Sequence, residues 1–363
     1  MGFTCGLVGL PNVGKSTLFN ALTSQSVPAS NYPFCTIDPN VGVVPLRDER
    51  LEKIAAIVGS AKATPTSLEF IDIAGLVKGA STGEGLGNQF LNHIQAVDAI
   101  AHVVRCFEDE NVAHISAKLD PVNDVDIILT ELTLHDLEVV GRNLEKLRAA
   151  ARTGDPKVKQ RLAELSDIHE ALARGNPLKK MTLSEIGMEL VREINLLTIK
   201  PAIYIANVDE KHYKDSPHVA QLIQYASQWN EPCVIISGKL QEEIAQLDAD
   251  SQVEFLQEWG LDELSLNKIV RAGYQVLNLI TFFTANQNEA HAWTVPRGAG
   301  VQKAAGKVHS DFEQGFIRAE VIKFADLIEF GSDANLREHG KIAIHGKDYV
   351  VEDGDLIFFR SKV

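Results

Sequence analysis

The sequence predicts an α/β fold with a helical insertion and a small β-rich domain toward its C-terminal end. Residues 1–120 alternate between buried-strand patterns and helical patterns, which is typical of a parallel sheet covered by helices. The same alternation returns in residues 200–280, after a long stretch with helical periodicity only. Residues 281–363 instead contain short strand patterns joined by polar turns. We therefore expect one α/β domain assembled from two parts of the chain, an insertion within it, and a second domain after it.

Residues 9–17 fit the phosphate-binding pattern G-x-x-x-x-G-K-[ST], between a strand pattern and a helical pattern. The glycines let the backbone wrap around a phosphate chain, so that successive N–H groups point at the anion. Lys15 can reach the β- and γ-phosphates, and the Ser16 hydroxyl can hold Mg²⁺. The pattern therefore predicts a P-loop. Its predicted nucleotide contacts are Asn12, Val13, Gly14, Lys15, Ser16 and Thr17.

Three positions after this loop complete the predicted magnesium and γ-phosphate site. Thr36 lies in a segment rich in turn residues, where nucleotide switches offer a hydroxyl to Mg²⁺. Asp72 ends a strong strand pattern and can hold Mg²⁺ through water, opposite Ser16. Gly75 completes the pattern D-x-x-G and lets its N–H approach the γ-phosphate. The sequence therefore predicts Ser16, Thr36 and Asp72 as the metal ligands.

The residue after Gly75 is Leu76, at a position where Ras-like switches keep a glutamine to orient the attacking water. A leucine cannot orient water, so hydrolysis is either very slow or depends on another group. His114 follows a further buried strand pattern, on the edge where open α/β sheets bind nucleotides. The sequence alone fits an ordinary surface-loop histidine equally well. We take His114 as the candidate that holds the water and Lys15 as the residue that stabilises charge.

The fourth nucleotide motif departs from its guanine-reading form. Guanine-specific switches carry N-K-x-D, in which the Asp takes two hydrogen bonds from guanine and the Lys lies along the ring. Here a strand pattern ends in Asn207, Val208, Asp209 and Glu210. Glutamate is one methylene longer, and a site that depends on paired hydrogen bonds loses discrimination when one is misplaced. Guanine preference is therefore not expected. Ser237, which follows the next strand pattern, is the remaining predicted nucleotide contact.

Residues 137–172 carry apolar residues at alternating spacings of three and four, with a break at residues 153–156. This pattern predicts an antiparallel, coiled-coil-like helical hairpin with its tip near Gly154. Basic residues cluster near that tip in an otherwise acidic chain, which indicates either a nucleic-acid contact or a solvated coiled-coil surface. They are Arg142, Lys146, Arg148, Arg152, Lys157, Lys159 and Arg161, against Glu145 and Asp155.

The composition, with 45% hydrophobic and 23% charged residues, is that of an ordinary globular protein. The formal net charge of −14 excludes an overall basic surface that would bind nucleic acid. Nucleic-acid binding would therefore need a local basic patch. The four cysteines are scattered without C-x-x-C, as in reduced cytosolic proteins. No apolar run is long enough to span a bilayer, and no targeting pattern opens the sequence. We expect a cytoplasmic protein with no membrane partner.

Together these motifs resemble the YchF/Obg-like ATPase family of translation-factor-related P-loop proteins, over essentially the whole chain. The resemblance rests on residues 9–16, 72–87, 207–210 and 304–318, the last of which looks like the family's TGS domain. The domains that it implies are a G-domain over residues 1–120 and 200–280, a coiled-coil hairpin over 121–199, and a β-grasp TGS domain over 281–363.

The resemblance also implies binding and hydrolysis of ATP in preference to GTP, with Mg²⁺, and association with the ribosome or ribosomal RNA. It points to His114 as the residue that supports hydrolysis. It places Val208 next to the adenine, with backbone groups rather than Glu210 carrying recognition. The same P-loop asparagine holds potassium in some related GTPases, which makes Asn12 a candidate K⁺ ligand.

Other functions fit the residues less well. A small-molecule kinase would need neither D-x-x-G with a threonine loop nor an appended TGS domain. An RNA-binding module with a vestigial nucleotide site would be expected to lose Lys15, Ser16 or Asp72, and all three are present. The alternative that stays open is a GTP-dependent RNA-binding regulator with little intrinsic hydrolysis.

Overall fold

The computed structural model describes residues 3–24, 40–73, 86–109, 119–210, 216–258 and 265–362. Thr36, Gly75, Leu76 and His114, which belong to the predicted site, lie outside these ranges. The described residues form two six-stranded sheets with helices packed around them. Among them, no helix combines the length and the apolar character needed to cross a membrane.

Strands and helices are numbered in chain order. The strands are β1 (Phe3–Val8), β2 (Val41–Leu46), β3 (Lys62–Thr64), β4 (Thr66–Asp72), β5 (Ala99–Arg105), β6 (Ala202–Asn207), β7 (Cys233–Ile236), β8 (Leu279–Ala285), β9 (Glu289–Pro296), β10 (Phe316–Ile322), β11 (Ala343–His345) and β12 (Leu356–Ser361). The helices are α1 (Lys15–Ser24), α2 (Glu49–Val58), α3 (Leu86–Ala96), α4 (Pro121–Ala150), α5 (Pro156–Ala173), α6 (Glu185–Glu193), α7 (Pro217–Ser227), α8 (Gly238–Ala245), α9 (Ala249–Glu258), α10 (Ser265–Val276), α11 (Val301–Val308), α12 (Ser310–Gln314), α13 (Phe324–Phe330) and α14 (Asp333–Glu338).

The first sheet has the strand order β2-β4-β1-β5-β6-β7. Its strands run parallel except β2, which is antiparallel to β4. Strands β5 and β6 are buried along their whole length, as expected where helices cover both faces of a parallel sheet. The α/β fold that the sequence predicts is therefore confirmed. Because the strands are parallel, the C-terminal ends of β1, β4, β5, β6 and β7 meet at one edge, where α/β sheets bind their ligands.

The helical insertion leaves the first sheet after β5 and returns to it at β6. Helix α4 begins at Pro121, with Asp120 as its N-cap, and runs for 30 residues. A short 3₁₀ turn and Gly154, at φ 88°, then reverse the chain into α5. The reversal lies where the sequence predicts the tip of the hairpin. Both helices contribute to one buried apolar seam, which includes Val140, Leu144, Leu165 and Ile168.

The second sheet has the order β11-β10-β12-β8-β9-β3. Strands β8 and β9 form an antiparallel hairpin, and the last strand, β12, lies beside β8 and runs parallel to it. Helix α11 packs on one face, where Val301 and Ala304 share a core with Phe282 and Ile357. A hairpin, a helix, and a final strand parallel to the first make up the β-grasp arrangement that the sequence predicts for this region.

Part of the N-terminal region belongs to the second sheet. Strand β3 pairs in parallel with β9. Helix α2 buries Leu51 and Ile54 in a cluster with Phe283. Residues 49–64 fall inside the range 1–120 that the sequence predicts for the nucleotide-binding unit, yet they pack on the C-terminal sheet. The β3–β4 segment therefore connects the second sheet directly to the strand that ends at Asp72.

Candidate nucleotide-binding site

The P-loop connects the end of β1 at Val8 to the start of α1 at Lys15. Within it, Asn12 (φ 63°) and Gly14 (φ 89°) adopt left-handed backbone conformations. Asparagine tolerates this region better than most residues, and glycine adopts it without steric cost. A turn of this kind gathers successive N–H groups into a concave anion site. It lies at the N-terminus of a helix, whose dipole also favours negative charge.

Two glycines of the P-loop are required by the close approach of other elements. A Cβ on Gly9 would lie 2.7 Å from the carbonyl oxygen of Val103 on β5. A Cβ on Gly14 would clash with the side-chain amide of Asn207, and the positive φ would strain any residue with a side chain. Both positions therefore need glycine for packing, and Gly14 needs it for the turn as well.

Asn207, at the end of β6, is hydrogen-bonded to the P-loop, although β5 lies between β6 and the strand that leads into that loop. The residue is only 6% exposed. Its Nδ2 donates to the Val13 carbonyl oxygen (2.8 Å), and its Oδ1 accepts from the Gly238 N–H (3.0 Å). Gly238 is the first residue of α8, directly after β7. One buried amide therefore fixes the P-loop relative to the two loops that the sequence predicts at the base end of the site.

Lys15 and Asp72 meet at the same edge of the sheet. The Lys15 ammonium group contacts Asp72 Oδ1, and the two side chains are 11% and 20% exposed. Ser16 is exposed on the first turn of α1. A hydroxyl and a carboxylate are hard oxygen ligands of the kind that Mg²⁺ prefers, and nucleotide-bound Mg²⁺ takes few protein ligands besides phosphate oxygens and water. The donor set therefore fits a magnesium ion shared with a nucleotide.

At the base end, two of the predicted contact residues make hydrogen bonds to other parts of the protein. Val208 is buried in an apolar cluster with Leu222, and its N–H donates to the Ile236 carbonyl oxygen (2.8 Å). Ser237 is buried, and its Oγ accepts from the Leu240 N–H (3.4 Å) as the N-cap of α8. The side chain of Val208 thus anchors the loop after β6 by packing, and the side chain of Ser237 anchors the loop after β7 by capping α8.

Glu210 has a cationic partner across the base end. Its carboxylate lies 3.7 Å from Lys239 Nζ, with side-chain exposures of 37% and 76%. The two residues belong to the loops after β6 and β7, respectively. The contact links the two loops at the base end.

Comparison with known proteins establishes the family. A family model described as a 50S ribosome-binding GTPase matches residues 4–133, and the YchF-GTPase C-terminal model, described as a protein of unknown function, matches residues 279–362. The Haemophilus influenzae protein named ribosome-binding ATPase YchF is 48% identical over 363 residues, which cover 100% of each chain. The chain belongs to the YchF family.

Further YchF proteins agree over the whole length. A Bacillus subtilis protein of the same name is 45% identical over 366 residues, again with 100% of each chain covered. The structure of the Schizosaccharomyces pombe YchF GTPase, at 34% identity, matches 99% of this chain and 98% of that chain with a TM-score of 0.89. The YchF likeness therefore includes both sheets and the helical insertion.

Within this YchF-family site, sequence reasoning missed Gly238 and Lys239. Neither was predicted as a contact, although both stand in the polar segment directly after the β7 strand pattern, which was the available signal. The structure brings Lys15, Asp72 and Asn207 together at one edge. Thr36, Gly75 and His114 lie outside the described residues, so their roles stay predictions.

Proposed function

We propose that this YchF-family protein binds and hydrolyses ATP with Mg²⁺, as a switch that associates with ribosomes in the cytoplasm. The observation that carries the proposal is the Lys15–Asp72 contact beside a complete P-loop. Full-length identities of 48% and 45% to proteins named ribosome-binding ATPases support the reaction and the partner. The test is phosphate release from ATP by the purified protein, with and without ribosomes. A protein that releases no phosphate under either condition would contradict the proposal.

Magnesium fits the phosphate end of the site. Ser16 and Asp72 supply a hydroxyl and a carboxylate, and Thr36 is the proposed third ligand. When bound, the metal neutralises charge that develops on the phosphate oxygens. Lys15 and the N–H groups of the P-loop bind and orient the same phosphates and stabilise their charge. Asn12, in the same loop, is the candidate ligand for a potassium ion.

The base end supports a preference for ATP because the guanine-reading pair is absent. Val208 replaces the lysine that lies along guanine, and the residue is only 3% exposed. Glu210 replaces the aspartate and has Lys239 at 3.7 Å. Discrimination falls steeply where paired hydrogen bonds cannot form. We infer that backbone groups of residues 207–210 carry adenine recognition.

ATP is therefore expected to bind several-fold more tightly than GTP, about 5- to 10-fold. Calorimetry with slowly hydrolysed analogues at fixed Mg²⁺ gives both dissociation constants. The double variant Val208→Lys with Glu210→Asp restores N-K-x-D and should move the preference toward GTP, whereas Lys53→Ala, an exposed lysine on α2, should not. If GTP binds tenfold more tightly than ATP to the unaltered protein, about 1.4 kcal/mol, ATP is not the preferred nucleotide.

The tip of the helical hairpin is the proposed ribosome contact. Arg142 and Arg161 have acidic partners, Glu138 and Glu193. The other basic residues of the cluster are exposed, and side chains of this kind neutralise phosphates and release counterions. Since α4 has 30 residues, the tip stands about 45 Å from the start of that helix. The exposed residues are Lys146, Arg148, Arg152, Lys157 and Lys159.

Reversing Arg148, Arg152, Lys157 and Lys159 to glutamate is expected to weaken ribosome association by at least about tenfold at low salt. Phosphate contacts act through counterion release, so the loss should shrink as salt rises. Co-sedimentation with ribosomes across a KCl series measures it. The control variant Arg174→Glu with Arg192→Glu reverses two exposed arginines of the same insertion away from the tip and should sediment normally. Unchanged sedimentation of the tip variant would make the cluster a solvated surface.

A further inference from the structure

The last segment of the helical insertion contacts the C-terminal end of α3. Residues 194–201, which we call the return segment, connect α6 to β6. Within it, Lys200 Nζ donates to the Gln95 carbonyl oxygen (3.0 Å) and to the Val97 carbonyl oxygen. Asn195 Nδ2 donates to the same Gln95 oxygen (3.2 Å). The last carbonyls of a helix have no partner within it, and a cation there also interacts favourably with the helix dipole. The return segment therefore caps α3.

The return segment is in turn fixed to the first helix of the hairpin. Asp136 on α4 is 0% exposed. Its carboxylate accepts hydrogen bonds from the Leu197 N–H (2.8 Å), the Thr198 N–H (2.8 Å) and the Thr198 hydroxyl (2.7 Å). Burial lowers the pKa of Lys200, and the attraction of Asp98 and Asp136 opposes this effect. Since hydrogen bonds to a charged group are the strong ones, α4 and the return segment are expected to move together.

Helix α3 also shares a core with the P-loop. Phe90, Leu91 and Ile94 of α3 lie in one buried cluster with Val13 of the P-loop. A close-packed core transmits strain from one element to the next. Among the elements that the structure describes, α3 is also the first one after β4, which ends at the predicted magnesium ligand Asp72. A displacement at the P-loop is therefore passed on to α3.

An open cleft of about 340 Å³ lies between α3 and α4. Leu91 and Asn92 of α3 line it together with His135, Glu138 and Arg142 of α4. A packed interior has few voids larger than a water molecule, so a cleft of this size leaves α3 room to shift against α4. Helix α3 is thus held at its C-terminal end by the return segment and has space along its side. This geometry allows α3 to pivot about the end that is capped.

We propose that Lys200 is a positioning residue that couples the helical insertion to α3, so that binding at the hairpin tip and binding at the P-loop alter each other. The Lys200 contacts would carry a shift of α3 to the return segment, and Asp136 would carry it to α4. The tip stands about 20 Å beyond Asp136, so a rotation of α4 by about 5° moves the tip by about 2 Å. The proposal rests on the proposed nucleotide binding and ribosome association, for which it supplies a means of regulation.

The test measures the dissociation constant of the full chain from ribosomes, with and without a slowly hydrolysed ATP analogue and Mg²⁺. The ratio of the two constants is the coupling between the sites, which is about 5- to 150-fold in typical allosteric proteins. Lys200→Met keeps a long side chain and removes both hydrogen bonds, so the ratio should fall below about twofold. Lys200→Arg keeps the charge and the donors and should retain most of the ratio. Arg192→Met removes an exposed cation of the same insertion, on α6, and should leave the ratio unchanged.

Hydrogen exchange on the isolated protein tests the same coupling without ribosomes. In the unaltered protein, the ATP analogue with Mg²⁺ should slow amide exchange in α3 and also in residues 132–140 and 195–200. In Lys200→Met, the effect should remain in α3 and be lost from the other two segments.

The outcomes separate this proposal from the proposed function. An unchanged ratio in Lys200→Met, with only a lower melting temperature, would make Lys200 a structural cap and overturn the coupling. A ratio of one in the unaltered protein would overturn it too, while ribosome association would stand. If the unaltered protein does not bind ribosomes, the proposed association falls, and hydrogen exchange decides the coupling: equal patterns in Lys200→Met and the unaltered protein overturn it. If Lys200→Met does not fold, Asn195→Gly keeps the left-handed backbone (φ 51°) and removes one donor to α3, and an unchanged ratio there overturns the coupling.

Discussion

Replacing Lys15 by alanine is expected to lower ATP affinity by about 10²-fold and to abolish measurable hydrolysis. The P-loop lysine reaches the β- and γ-phosphates, and here its ammonium group lies in contact with Asp72 at 11% exposure. Removing one partner from a desolvated charge contact across a binding interface, here the contact between the lysine and the phosphates of the bound nucleotide, typically costs about 2–5 kcal/mol. Since 1.4 kcal/mol is about tenfold in affinity, the lower half of that range already gives the expected loss. Binding of a fluorescent ATP analogue and phosphate release measure the two effects.

The Lys15→Ala protein should stay folded, because the buried core of the first sheet is formed by other residues, such as Leu7, Leu18 and Ile203. Its thermal unfolding, followed by circular dichroism, should match that of the unaltered protein. Lys53→Ala removes a lysine from an exposed position on α2 and is the matched control. Hydrolysis by Lys15→Ala at the unaltered rate would show that the P-loop is not where ATP reacts.

The sequence predicts those parts of the fold that local patterns determine. Strands β5 and β6 are buried along their whole length, and the last four residues of β1 are buried too, so these strands appear in the sequence as largely apolar runs. The hairpin follows from 3–4 spacing and from Gly154, which takes the left-handed turn between its helices. Residues 49–64 are different. Their periodicity predicts a helix or a strand but not the sheet on which it packs, and β3 pairs with β9 across more than 220 positions.

The same distinction holds within the site. The P-loop is recognisable because its chemistry needs contiguous residues at fixed spacing. The hydrogen bond from Asn207 to Val13 joins residues 194 positions apart, so no local pattern reveals it. The Glu210–Lys239 contact likewise depends on how two loops meet. Sequence reasoning therefore predicts which chemistry the site contains better than it predicts how the loops are held.

Hydrolysis must proceed with Leu76 in the position where related switches hold a glutamine. A loose phosphoryl-transfer transition state needs stabilised charge and a held water. Lys15 and the P-loop amides stabilise the charge. Asp72 is assigned to Mg²⁺, and residues 73–76 offer no side chain that would hold the water. His102 on β5 is unsuitable, because it is 1% exposed and stacks on Tyr204, and burial lowers its pKa to about 3. His114 is therefore the residue that we propose for this role, since a neutral imidazole accepts a hydrogen bond from water near pH 7.

His114→Ala is expected to lower the turnover rate by about 10²–10⁴-fold, the usual contribution of such a group, and to keep ATP affinity within a few-fold. Single-turnover phosphate release separates the two quantities. His93→Ala, which removes an exposed histidine from α3, should behave as the unaltered protein. Normal turnover by His114→Ala would make His114 an ordinary loop residue, and the water would then be held by backbone groups or by a residue supplied in trans.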